Sequence, residues 1–195
     1  MQVGVVVGVL AVLGPVVAIV VVAGFVFAVR NALERQRNSV TDTWSQVGVA
    51  LRRRYGIVPG LVRAVDGLDE DRTRLLDVVD AARASADAPS EPGVQAEIEE
   101  RLTLALRHVM ASAEGSPQSR SNRRLAELQT ELIATENRIA YSRQTFNSAA
   151  QAYNRSIASA PRNLLAHAFG FTRVELFEVP DRARPGAGQP EPLHS

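Results

Sequence analysis

The chain contains no cysteine. That absence rules out a disulfide framework and a thiolate zinc site. It suits a reducing compartment, although it also fits an exported domain. Lysine is absent too, so all 22 basic side chains are arginine. This bias suggests a GC-rich genome, as an association and not a mechanism. Charge is missing altogether from residues 3–29, and the first ionisable side chain of the sequence is Arg30. Every one of the 22 basic and 21 acidic side chains follows that run, and the two nearly cancel. There is therefore no field to hold nucleic acid or an acidic substrate.

What fills residues 3–29 is Val, Ala, Leu, Gly, Ile and Phe, with a single proline. As a helix the run is about 40 Å long, at about 1.5 Å per residue. About 20 apolar residues cross a bilayer. A cleaved secretory signal would begin with a basic segment and carry a shorter apolar core. Only Met1 and Gln2 precede the run. The third alternative is a buried core helix. The expectation is a retained transmembrane anchor over 1–29, kinked at Gly14-Pro15, where neighbours or water satisfy the freed carbonyl. Arg30, Arg35 and Arg37 follow the span and no Arg precedes it. The positive-inside rule then places the N-terminus outside and the body in the cytoplasm of a single-pass inner-membrane protein.

Beyond Arg30 the apolar residues repeat every three or four positions. Val40, Trp44, Val47, Leu51, Val58, Leu61, Val65 and Leu68 form one seam, with Arg54 at the single skipped core position. The spacing predicts a kinked but continuous helix over about 30–67, bent at Pro59. Asp69, Glu70 and Asp71 suit the first turn of a second helix, about 69–87, with an apolar face of Leu75, Leu76, Val79 and Ala82. Ser90 is the expected N-cap of a third, which has Pro92 in its first turn. Val94, Ile98, Leu102, Leu106 and Val109 line that helix, which stops near the turn Gly115-Ser116-Pro117. The last helix carries Leu125, Leu128, Leu132, Thr135, Ile139, Ser142, Phe146, Ala149, Tyr153 and Ser156. Several of these are small or polar, which predicts close packing within the chain.

Short connections between such helices imply antiparallel neighbours. The expected architecture is all-α: a transmembrane helix (1–29), then an elongated antiparallel four-helix up-down bundle (30–178) with long first and last helices. The Pro/Gly-rich tail, 179–195, reads as disordered.

These residues resemble the LemA family of bacterial membrane-anchored helical proteins. One stretch of resemblance is Arg37-Asn38, Val40, Trp44-Ser45, Val49, Leu51, Arg53-Arg54, Pro59 and Leu61-Val62. The stronger one is Leu128-Gln129, Glu131-Leu132, Thr135-Glu136-Asn137-Arg138-Ile139-Ala140 and Arg143. It continues through Phe146-Asn147, Tyr153-Asn154, Pro161, Asn163 and Phe169-Gly170-Phe171. The chain departs from the family pattern at Arg30, Gly48, Gly56, Gly60 and Asp71-Arg72. A shared activity that used those polar positions would be absent here. The resemblance implies a fold and a topology, and it implies no reaction.

The chemistry-bearing residues point the same way. Bundle di-iron sites need inward Glu and Glu-x-x-His pairs. The residues three before His108 and His167 are Ala105 and Leu164, and only tail residue His194 has a Glu there, Glu191. No metal, cofactor or catalytic constellation is expected, and the histidines read as surface or interhelical polar residues. Arg52-Arg53-Arg54 reads as a solvated face with Arg54 snorkelling at the seam, or as a contact for an acidic partner. Thr135-Glu136-Asn137-Arg138 reads as an interhelical network reaching Asn38 or Gln46, or as a docking site. The candidate interaction surface is thus Arg52, Arg53, Glu136, Asn137 and Arg138. Phe169 and Phe171, flanked by Arg162 and Arg173, are candidates for the bilayer interface; packing wholly within the chain is the alternative.

The expected partners are the lipid bilayer through residues 3–29, an unidentified membrane or envelope protein, and a possible second copy, with no nucleic acid. The expected role is a non-enzymatic scaffold or adaptor. The alternatives are a self-assembling, membrane-remodelling structural protein and an enzyme with an unrecognised site.

Overall fold

The computed structural model describes residues 2–65, 72–87 and 91–178. Helices are the only regular elements among the described residues. The acidic turn Asp69-Glu70-Asp71, Leu68, the Ser90 cap and the tail from 179 lie outside them.

The first helix, α1, runs from Gln2 to Ala64 without a break, through both Pro15 and Pro59. The apolar run and the heptad seam are therefore one helix. Pro59 has no amide hydrogen, so the carbonyl of Tyr55, four residues back, loses its intrahelical partner. Arg83 supplies the missing donor from the second helix: its Nη2 donates to the Tyr55 carbonyl at 3.3 Å.

That second helix, α2, covers Arg72–Asp87. Helix α3 covers Pro92–Gly115. Its N-cap is Glu91, not the expected Ser90; Glu91 has an extended backbone and its side chain makes no capping bond. Pro92 at the first helical position has no amide to satisfy. The turn expected at Gly115-Ser116-Pro117 opens a short helix, α4, Pro117–Ser121, capped by Ser116 Oγ, which accepts from Ser119 N at 3.3 Å. Helix α5 covers Arg123–Ala158, and after it comes α6, Arg162–Ala168.

The chain divides into two units. One comprises Met1–Leu51 with Thr135–Leu176. Its core joins Val29, Leu33, Val40 and Val47 of α1 with Ile139, Phe146, Ala150, Tyr153 and Ile157 of α5. Trp44 stacks on Phe146 with ring centroids 4.9 Å apart. The polar seam positions Thr135 and Ser142 are buried, and Ser142 returns its hydroxyl to the Ile139 carbonyl at 3.0 Å.

The other unit comprises Arg52–Ala134 with the residues from Phe177. Its apolar core draws on four helical segments: Val58, Leu61 and Val62 of α1; Leu75, Val79 and Ala82 of α2; Leu102, Leu106 and Val109 of α3; Leu125, Leu128 and Leu132 of α5. Gly60 is where α1 meets α5: a Cβ there would stand 3.3 Å from Leu128 Cδ1. Asn122 joins the same helices by hydrogen bonds. Its Oδ1 accepts from the amides of Arg124 and Leu125, capping α5, and its Nδ2 donates to the Ala64 carbonyl at the end of α1. One side chain thus satisfies groups left over at two helix termini.

Candidate functional site

The residues with most chemical character in the second unit are buried. Arg54 and Glu99 are each only 3% exposed and form an ion pair through Arg54 Nη2 and Glu99 Oε2. The Tyr55 hydroxyl donates to Glu99 Oε1. Gln95 Nε2 donates to the same carboxylate oxygen at 2.8 Å and to the Tyr55 hydroxyl at 3.0 Å. Ser85 Oγ donates to Gln95 Oε1 at 3.1 Å. Three helices meet here: α1 brings Arg54 and Tyr55, α2 brings Ser85, and α3 brings Gln95 and Glu99.

Arg54 therefore does not snorkel. Its heptad position turns it inward, and Glu99 opposite neutralises it. Burial, then the charge and hydrogen bond of Glu99, hold the proton on Tyr55 well above the usual phenol range, while Arg54 and Gln95 act in the opposite direction. The resulting cluster is buried and cross-linked by hydrogen bonds among Tyr55, Gln95, Glu99 and Ser85. It holds a neutral phenol and a neutralised carboxylate, with no nucleophile beside a free base. Such a cluster fixes the register of three helices.

Periodicity misassigned one face of α3. The buried positions are Gln95, Ala96, Glu99, Leu102, Leu106, Val109 and Ala113, whereas Val94 is exposed and Ile98 half-buried. Gln95, Glu99, Leu102, Leu106 and Val109 keep the three-and-four spacing, so the phase was visible once polar residues were admitted to the core.

The candidate surface residues fall in different units. Arg52 and Arg53 are exposed on the second, where Arg53 Nη2 pairs with Glu131 Oε1 at 2.7 Å. A solvated pair of this kind contributes about 1 kcal/mol at most. Asn137 and Arg138 are exposed on the first unit, with Glu136 half-buried and Thr135 buried. Asn38 and Gln46 are exposed and do not enter a buried network. His108 and His167 are exposed as well.

In the first unit, α6 and the chain after it are held firmly. Gly170 adopts the left-handed conformation, with φ 72°, as a helix terminator. Its amide donates to the His167 carbonyl at 3.2 Å, and the Phe171 amide donates to the Ala166 carbonyl at 2.9 Å. This turn leaves Phe171 only 8% exposed, which matches the second of the two placements the sequence allowed for it, packing within the chain. Phe169 remains 42% exposed, with the Arg30 guanidinium 5.5 Å from its ring centroid. The extended segment that follows is clamped by Asn154, whose side-chain amide donates to the Val174 carbonyl at 2.8 Å and accepts from the Val174 amide at 3.0 Å. Tyr153 beside it is buried, and desolvation raises its phenol pKa, against Arg37, which lowers it, and with Glu34, which raises it.

An open groove of about 580 Å³ lies along one face of α5, over Tyr141, Arg143, Gln144, Asn147 and Gln151. It brings no acid and base together. Among the described residues, no three His, Asp or Glu side chains gather where they could hold a metal ion.

The chain contains one helix long and apolar enough to cross a membrane among the described residues. The sequence model of the LemA family matches residues 43–188. Two curated relatives from Paramagnetospirillum magneticum, magnetosome proteins MamQ 1 and MamQ 2, are each 39% identical over 74 residues, which is 38% of this chain and 27% of theirs. Magnetosome protein MamQ of Magnetospirillum gryphiswaldense is 40% identical over 73 residues, 37% of this chain and 27% of its own. The aligned region thus spans about a quarter of the length of these curated relatives.

Proposed function

The chain belongs to the LemA family, and on that premise we propose that it is a single-pass, membrane-anchored helical scaffold or adaptor with no catalytic step of its own. The observation that carries this reading is the unbroken course of α1. Among the described residues its apolar side chains from Leu13 to Phe27 are exposed, apart from half-buried Val26, and from Val29 on the same helix enters the packed core of the first unit. Hydrocarbon is the environment in which that uncovered surface costs nothing. The curated relatives support a structural role, being named as magnetosome proteins and not for a reaction.

In this reading residues 3–29 span the inner membrane. Arg30, Arg35 and Arg37 keep the following residues in the cytoplasm. The end of α1, α2, α3 and the start of α5 make an antiparallel four-helix bundle in the second unit. The side chains offered to an envelope protein are Arg52 and Arg53 on the second unit, and Asn137 and Arg138 with half-buried Glu136 on the first.

Photo-crosslinking residues placed at Arg52 and Arg138 in living cells test the role. The expected product is one dominant adduct with a foreign membrane or envelope protein. Self-adducts that grow with expression level would replace this reading with a self-assembling structural array. A C-terminal reporter active only outside the cytoplasm would reverse the orientation.

A further inference from the structure

The geometry points to α6 and the turn after it as a second membrane contact: a collar that lies at the lipid headgroup level and inserts Leu164 and Phe169 beside the end of the anchor. This inference rests on the membrane-anchored reading of residues 3–29.

Three observations in the first unit carry it. The first is depth. Arg30 is the first charge after the uncharged run, so in a bilayer it marks the headgroup boundary. Its guanidinium stands 5.5 Å from the Phe169 ring centroid, which puts that ring at the same level. The second is exposure. Leu164 is 72% and Phe169 42% exposed, although Leu165 and Ala166 of the same short helix turn inward. Large apolar side chains left uncovered on a short, tethered segment mark a surface that something else covers. The third is rigidity. The backbone bonds Gly170 to His167 and Phe171 to Ala166 bracket Phe169, and the Asn154 clamp holds Val174 further along, so the orientation of the segment is built in.

The chemistry fits an anionic lipid surface. Aromatic rings with a neighbouring arginine sit well at the boundary between acyl chain and headgroup. Arg30 is exposed there, with a stem that can lie along apolar chains while its guanidinium meets phosphate; Arg162, also exposed, already donates through Nη1 to Ser156 Oγ at 3.1 Å. Buried Phe171 takes no part.

The test uses the full chain in vesicles of phosphatidylglycerol and phosphatidylcholine, carrying W44F so that one introduced tryptophan reports alone. F169W places the reporter in the collar, and F27W in the anchor. Bromines near the headgroup end of the acyl chain are expected to quench F169W more strongly than bromines near the terminal methyl, with a blue-shifted emission. If F27W is quenched while F169W is untouched by every brominated lipid, the anchor stands and the collar is overturned. An F169W reporter shielded from aqueous acrylamide yet unquenched by lipid overturns it too, by showing a protein cover such as a second copy. If neither reporter is quenched, the anchored reading itself fails and the collar with it.

Discussion

Arg54 and Glu99 show how much one pair of side chains decides in a helical core. Each is buried, and each is tolerable only because the other is present. Removing one partner leaves an uncompensated charge out of water, which costs about 3–5 kcal/mol. Glu99→Ala is therefore expected to destabilise the chain by about that much in denaturant melts in detergent. Replacing both residues by apolar ones of similar volume, Arg54→Met with Glu99→Leu, is expected to recover a large part of the loss. If the double variant is as unstable as the single one, packing and not charge is what the pair supplies. The sequence shows half of this site. Arg54 stands out because it interrupts an apolar seam. Gln95 and Glu99 do not, because two nearby apolar residues, Val94 and Ile98, offer a competing face one position away. Hydropathy follows the apolar residues, whereas the fold follows the charge that Arg54 brings inside.

At the scale of elements, the long helices are legible and the short ones are not. α1, α3 and α5 carry several turns of regular spacing, and α3 begins at Pro92 and ends at Gly115, where helix-starting and helix-breaking residues place it. α4 and α6 have five and seven residues, too few for a period to emerge. Their markers are local instead: Ser116 before Pro117, and Gly170 between two phenylalanines. Asn122 carries no periodic signal, since half of its role lies at the end of α1, 58 residues away. Pro59 is the instructive case. The unshifted phase of the seam predicts that α1 continues through it, and so it does, with Arg83 of α2 attending to the orphaned carbonyl. A double-mutant cycle checks this. Arg83→Ala is expected to destabilise the protein by about 1 kcal/mol with Pro59 present and by much less in Pro59→Ala, where the intrahelical bond returns. Equal losses in both backgrounds would show that the two residues act independently.

At the scale of the whole molecule, both units bury a tyrosine whose proton is held more tightly than in water: Tyr55 in one and Tyr153 in the other. The folded state then binds protons that the unfolded chain releases near pH 10.0. The stability tied to the neutral phenols is complete below that pH and is lost as pH rises above it. Thermal melts in detergent are expected to hold steady up to that point and then fall, with tyrosinate absorbance lagging behind that of the unfolded chain. Tyr55→Phe should flatten the fall. The family, the helical class and the apolar helix were readable from residue patterns, because each repeats over many positions. Only the Arg54 half of the buried polar cluster was, because its other half appears where three helices meet. One consequence concerns time. The chain is made from its amino end, so Pro59 leaves the ribosome well before Arg83 does. Until α2 has been synthesised and has docked, the Tyr55 carbonyl has only water to accept from, and the last turns of α1 lack one of their fastenings. The first helix thus gains its last fastening only once the second is in place.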